Sequence, residues 1–260
     1  MKDNIELYSK KYSKLKMLLA WAILMLVYTY VGFFFSTTDV FRIPKPWNTV
    51  VGLIVVIIVA VLCVRFSQTT KVFFRRPKLK KSTRAIAIIL LAFFGFIVIF
   101  GKLGNWIAVF KLSSTPMIMT FCVALCAGIG EEFLMRNLAF NTCLAFLKNS
   151  RYSIFWSSVI SSAVFGLIHL VNLTHQSWNA TGQQVFYAFA LGLIFMLIHV
   201  LTNNMKVTPI VHFLFDLQPA IRSMSVGESS WSNILIFWGI LIVLSLISLW
   251  LINRDYLRNN

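Results

Sequence analysis

The chain has 260 residues, 58% hydrophobic and 12% charged, with a mean hydropathy of +0.79 and a formal net charge of +16. Soluble domains are roughly half apolar and a quarter charged, so this balance excludes an ordinary water-soluble domain and indicates an integral membrane protein. The excess of Lys and Arg does not indicate nucleic acid, because it falls between apolar runs, where membrane topology accounts for it. Cys63, Cys122, Cys126 and Cys143 sit in or beside apolar segments without a metal-type CxxC pair and read as free, buried thiols.

In chain order, Lys2, Lys10, Lys11, Lys14 and Lys16, with Tyr8, Tyr12 and Trp21 as interfacial rings, form a basic amino-terminal segment on the cytoplasmic side. The first apolar run, Met17 to Phe35, is long enough to span and lacks a small-residue cleavage site, so it is expected to stay as an anchor. Pro44 and Pro46 lead to a second span over Trp47 to Val64. Next comes the most basic stretch, with Arg65, Lys71, Arg75, Arg76, Lys78, Lys80, Lys81 and Arg84 and no acid, which reads as a cytoplasmic loop on anionic lipid.

A third span covers Ala85 to Phe100, followed by an outer loop with Lys102 and Lys111. A fourth starts at Thr115-Pro116, a cap residue and then proline at the first helical position, and carries Ala124 and Gly128 four apart. The fifth covers Tyr152 to Asn172, with a small-residue stripe of Ser158, Ser162 and Gly166. Two matches to the glycosylation pattern, at Asn172 and Asn179, fall at the start of and within the uncharged outer loop Leu173 to Gln183. The sixth span covers Gln184 to Leu201, with Asn203 to Val207 as an inner turn. The seventh opens at Thr208-Pro209 and bends or ends at Pro219, and the eighth covers Asn233 to Ile252. The expected fold is therefore all-α: a polytopic membrane helix bundle of about eight transmembrane helices, one integral membrane domain over residues 1–260. Both termini are expected to be cytoplasmic, since the outer segments carry only Arg42, Lys45, Lys102, Lys111 and Arg222. No internal repeat is evident.

The chemistry concentrates at Glu131-Glu132-Phe-Leu-Met-Arg136, an acidic pair at the end of the fourth apolar run. Charges in hydrocarbon cost several kcal/mol unless they are paired or face a polar cavity. Successive helical residues point about 100° apart, so the two carboxylates face different ways. Glu132 precedes Arg136 by four, the favourable order for a helical ion pair, which leaves Glu131 to face a cavity. A carboxylate partly shielded from water there is tuned toward the range useful to a general base. On the fifth span Ser161, Phe165 and His169 share a stripe, and on the seventh His212 and Asp216 share a face. His199 reads as a packing residue and His175 as an exposed loop residue. Together Glu131, His169, His212 and Asp216 suggest hydrolysis, with a base for water and donors for an oxyanion. Alternatively Glu131, His169 and His212 hold a catalytic zinc ion with water in its open position. The helical HExxH pair of many zinc proteases is absent.

These motifs resemble the CAAX-protease and bacteriocin-processing intramembrane proteases, whose pattern is EExxxR, then FxxxH, then HxxxN or HxxxD on successive membrane helices. Here it stands as Glu131-Glu132-Phe-Leu-Met-Arg136, Phe165-Gly-Leu-Ile-His169 and His212-Phe-Leu-Phe-Asp216. The resemblance covers Pro116 to Asp216, so the expected catalytic core is about residues 116–220. It implies an endopeptidase in which the position of Glu131 activates water with help from that of His169, while those of His212 and Asp216 stabilise the oxyanion. Glu132, Arg136 and Phe165 would support the site. Asp216 departs from the Asn of the prenyl proteases; an ionised carboxylate cannot donate to an oxyanion, so it is protonated, orients His212, or binds metal. The resemblance takes in both metalloproteases and metal-independent glutamate proteases, so it fixes no cofactor and leaves zinc as the one to test. Expected partners are the lipid bilayer and a membrane-associated peptide or protein substrate, in a bacterial cell membrane, with leader or signal-peptide processing or bacteriocin self-immunity as the role. The competing class is a non-catalytic immunity or scaffold protein of the same fold. A transporter is disfavoured for lack of an inverted repeat.

Depth counts against one shared site. At about 1.5 Å per residue, Glu131 comes out ~8 Å below the inner face of a core of about 30 Å. His169, counted from Tyr152, lies ~25 Å from that face.

Overall fold

In hydrocarbon every backbone polar group has to be satisfied within its own segment, and for runs of this length that dictates helices. The computed structural model describes residues 12–37, 43–223 and 228–258, and it is all-helical, 83% helix with no strand among them. Lys2, Tyr8, Lys10, Lys11 and Arg42 lie outside the described residues, as does the side chain of Arg222.

The helices are α1 (Lys14–Thr37), α2 (Trp47–Ser67), α3 (Lys81–Phe110), α4 (Ser114–Phe146), α5 (Ser153–Ile168), α6 (Trp178–Thr202), α7 (Val207–Asp216) and α8 (Trp231–Arg258). Short 3-10 turns over His169–Thr174 and Pro219–Ser223 extend the chain after α5 and α7. Six of the described helices are long and apolar enough to cross a membrane: α2, α3, α4, α5 with its 3-10 extension, α6 and α8. The buried core gathers around α6, whose Leu193, Ile194, Phe195, Met196 and Leu197 are all fully enclosed. Their counterparts on the outside, such as Leu26, Ile89 and Ile236, are exposed, as side chains facing lipid are. The four cysteines are free, with Cys63 and Cys122 buried and Cys126 and Cys143 half-buried.

Several sequence expectations change, among them the start of α6, which at Trp178 puts Asn179 to Gln183 on a helix. α3 continues to Phe110, so Lys102 lies on a helix and not in an outer loop. The fourth helix begins at Ser114 after Ser113, one residue before the expected cap, and runs on to Phe146. α7 has ten residues, about 15 Å at 1.5 Å per residue, half of a 30 Å core. The stretch from α7 to α8 nevertheless travels the full height of α6. It leaves beside Asn203, at the end of α6, and is tied to the start of α6 by Trp231 Nε1 donating to Asn179 Oδ1 (2.6 Å). Gln183 donates to Ser229 O (2.6 Å) and accepts from Ser229 N (3.0 Å). Ser177 Oγ and Asn179 Nδ2 each donate to Glu228 at 2.5 Å. These two bonds hold the Glu228 carboxyl below its ordinary pKa.

The opposite end of the bundle is knotted by two asparagines. Asn203, in the left-handed conformation at φ 48°, accepts from the backbone N–H of Val72 (2.7 Å) and Phe73 (2.8 Å) and donates to Phe73 O (2.9 Å). The basic stretch is thereby pinned to the bundle. Asn137 accepts from Ser67 Oγ (2.6 Å) and donates to Thr69 O (2.5 Å), fixing α4 against the end of α2. At this same end Tyr12 packs on Phe66 at 5.1 Å and the N–H of Lys80 donates to Asp255 Oδ2 at 2.9 Å. The two ends of the described chain therefore lie together.

Candidate functional site

The site is built on an irregular stretch of α4. The backbone winds as a π-helix over Ala127–Glu131 and again over Phe133–Ala139. An i→i+5 winding is rare and occurs mostly as short bulges, frequently at functional sites. Glu131 closes the first of these stretches, and Glu132, at φ −67° and ψ −45°, joins it to the second.

Both carboxylates reach one imidazole. His212 Nδ1–H donates to Glu132 Oε1 at 2.9 Å, while His212 Nε2 stands 3.7 Å from Glu131 Oε2 and 3.3 Å from Asp216 Oδ2. The expected Glu132–Arg136 pair is present, with Nε 3.3 Å from Oε2 and both side chains enclosed. Glu132 is thus more than a staple, because it also grips His212, a contact that the α-helical count did not foresee. The Arg136 guanidinium finds no hydrogen-bond acceptor among the described residues. It lies instead over the rings of Phe165 (4.1 Å) and Phe195 (5.3 Å), whose faces attract a desolvated cation. The same two rings pack on His212, Phe195 at 4.9 Å and Phe165 at 6.1 Å.

His169 joins from the end of α5. Its ring meets Phe165 edge-on at 5.2 Å, and its Nδ1 is 2.9 Å from Phe165 O. The mismatch in depth disappears once α4 is followed to Phe146. Measured from the turn that joins α4 to α5, Glu131 is ~22 Å along α4 and His169 ~24 Å along α5, at about 1.5 Å per residue. The sequence count erred by ending the fourth span near the acidic pair. His199 is fully buried, with Phe140 edge-on at 6.3 Å, and His175 is exposed, as expected of each.

Two devices hold α7 in place, one from α4 and one from α3. A Cβ on Gly128 would lie 2.7 Å from Pro209 O and 3.0 Å from Phe213 N, so the two backbones touch at this point. Gly128→Ala therefore pushes α7 outward, with an expected loss of about 1–3 kcal/mol of stability from overpacking. Thermal unfolding in detergent reads the loss, and an unchanged midpoint would contradict the contact. At its far end, α7 is clamped by α3. Trp106 Nε1 donates to Leu214 O (2.8 Å), and Lys102 Nζ (3.1 Å) and Asn105 Nδ2 (3.4 Å) donate to Gln218 Oε1. The Lys102 ammonium also sits 4.5 Å over the ring of Phe215, next to Asp216.

One site residue has no signature in the sequence. Tyr28, on α1, donates its hydroxyl to Glu131 Oε1 at 3.1 Å. Nothing around it in the chain marks it, since it is one ring in an apolar span. As for metal, His212 presents both nitrogens to carboxylates and the Nδ1 of His169 is engaged by a backbone carbonyl. Among the described residues, no group of three or more His, Cys, Asp or Glu has an arrangement that could hold a metal ion.

The segment that carries all of these residues except Tyr28 and the α3 clamp also stands out by comparison. Residues 113–218 match the family model described as Type II CAAX prenyl endopeptidase Rce1-like. Over this segment the chain is similar to that family. The match is consistent with the CAAX-protease and bacteriocin-processing resemblance and takes in both π-helical turns, α5, α6 and α7. No curated protein and no solved structure matches the chain. The Rce1-like segment supplies Glu131, Glu132, Arg136, Phe165, His169, His212 and Asp216, while α1 and α3, which buttress them, lie outside it.

Proposed function

We propose that the protein is an intramembrane endopeptidase that hydrolyses a peptide bond of a membrane-associated peptide or protein by water activated at Glu131. The observation that carries this reading is the meeting of Glu131, His212 and Asp216 within an Rce1-like segment, Nε2 of one imidazole facing both carboxylates. Glu131 takes a proton from water as its oxygen adds to the scissile carbonyl, and His169 helps to hold that water. The carbonyl oxygen becomes an anion facing His212, and the proton on Glu131 passes to the leaving amine. Glu132 holds His212 at Nδ1, and Asp216 aligns the ring from the other edge. This supports orientation of His212 as the role of the acid that replaces Asn. Every step uses side chains alone.

The reading includes eight crossings of a bacterial cell membrane with both termini cytoplasmic. It is supported by the shared end of Tyr12, Phe66, Lys80 and Asp255, beside the basic stretch Arg65 to Arg84. The substrate class follows as leader or signal peptides, or a bacteriocin to which the cell must be immune. The test is cleavage of a panel of membrane-associated peptides by the purified protein in detergent, with and without a chelator. Cleavage unaffected by chelator is expected. Reversible loss on chelation would overturn the metal-free chemistry and restore zinc on Glu131, His169 and His212. No cleavage of any peptide, together with retained binding, would favour a non-catalytic immunity protein.

A further inference from the structure

Glu131 has two oxygens, and only one of them faces His212. The other, Oε1, accepts a hydrogen bond at 3.1 Å from Tyr28, a residue 103 positions away on a helix outside the Rce1-like segment. A second, independent feature accommodates the same ring. A Cβ built on Gly130 would lie 2.3 Å from Tyr28 Cε2 and 2.8 Å from Cδ2, closer than atoms approach without something moving. The residue before the proposed base is therefore one whose missing side chain leaves room for the tyrosine.

We propose that Tyr28 is a positioning residue for the proposed base: its hydroxyl fixes Glu131 Oε1 so that Oε2 is turned toward His212 and the attacking water. A carboxylate on a flexible side chain has several rotamers, and a misdirected base forfeits most of the gain from alignment. A phenol is well suited to the task, because its ring packs against the Gly130 backbone while its one polar atom donates. The inference rests on the proposed hydrolytic role of Glu131 and extends it to the amino-terminal helix, making α1 part of the site as well as an anchor.

The test compares Tyr28→Phe, Gly130→Ala, the double variant and Glu131→Gln in one peptide-cleavage assay, with thermal unfolding as a check on folding. Tyr28→Phe keeps the ring and removes only the hydroxyl. A hydrogen bond to a charged group contributes about 1.5–3 kcal/mol, so kcat is expected to fall roughly ten- to a hundredfold, with KM and the unfolding midpoint unchanged. Gly130→Ala displaces the ring and is expected to lower kcat comparably, and the double variant should be no worse than Gly130→Ala alone. An active Tyr28→Phe beside an inactive Glu131→Gln would overturn the positioning role and leave the protease reading standing. An active Glu131→Gln would remove the reading on which the inference rests. A fall in the midpoint that matches the loss of kcat, or a change confined to KM, would reduce Tyr28 to packing or substrate contact and also overturn it.

Discussion

Glu131→Gln is expected to lower peptide cleavage on the order of a thousandfold while leaving the fold intact. The side chain keeps its shape and can still accept from Tyr28, whose hydroxyl lies 3.1 Å from Oε1. What it loses is the capacity to take a proton, and a positioned general base typically contributes 10²–10⁴-fold (about 3–5 kcal/mol of barrier). The substitution also removes one of the carboxylates facing His212 Nε2, the more distant at 3.7 Å against 3.3 Å for Asp216. A stability change should therefore be small. Cleavage rates under saturating peptide, with circular dichroism or thermal unfolding alongside, separate the two effects. Retention of more than a tenth of the wild-type rate would leave Glu131 without the role proposed for it.

Glu132→Gln is expected to act on the neighbouring carboxylate in the opposite sense, through stability first. Arg136 is 1% exposed and Glu132 not at all, and Glu132 is the Arg136 ion-pair partner among the described residues. Removing one member of such a pair leaves the other charge buried without compensation and costs about 3–5 kcal/mol. The two rings over the guanidinium, Phe165 and Phe195, offset a part of this. Glu132 also receives His212 Nδ1–H at 2.9 Å, so activity should fall together with stability. Thermal unfolding in detergent measures the first effect, and the double variant Glu132→Gln/Arg136→Met, which removes both charges, should recover a large share of it. A wild-type midpoint for Glu132→Gln alone would show that Arg136 does not depend on this partner. A double variant no better than the single would locate the cost in the lost grip on His212.

Together the two predictions divide the acidic pair by experiment along the line that the structure draws. Glu131 is half-buried and flanked by a tyrosine and a histidine, whereas Glu132 is enclosed between an arginine and the other edge of the same histidine. Both reach His212 from the irregular, partly π-helical part of α4. Gly128 allows α7 close enough for His212 to fill the space between them.

Much of this was legible in the residues. Hydropathy located the long helices because lipid leaves a spanning backbone no other way to satisfy its hydrogen bonds. The three motifs named Glu131, His169, His212 and Asp216, and the four-residue spacing of Glu132 and Arg136 gave their contact, because helical spacing is a local property. The small stripes also read correctly, since Gly128 abuts Pro209 and Gly166 abuts Val185, while Ser162 packs against Gly192 of α6. What tertiary structure alone decided was depth, rotation and the contribution of distant helices. His169 reaches the level of Glu131 because α4 runs on to Phe146, and no local signal ends or extends a helix through an apolar run without caps. The two acids meet at His212 where α4, partly π-helical there, packs against α7, a winding that an i, i+4 count does not include. Tyr28 and the Lys102, Asn105 and Trp106 clamp belong to the site because α1 and α3 pack beside it. Periodicity describes which face of a helix is apolar, while which neighbour that face meets is set by close packing between segments far apart in the chain.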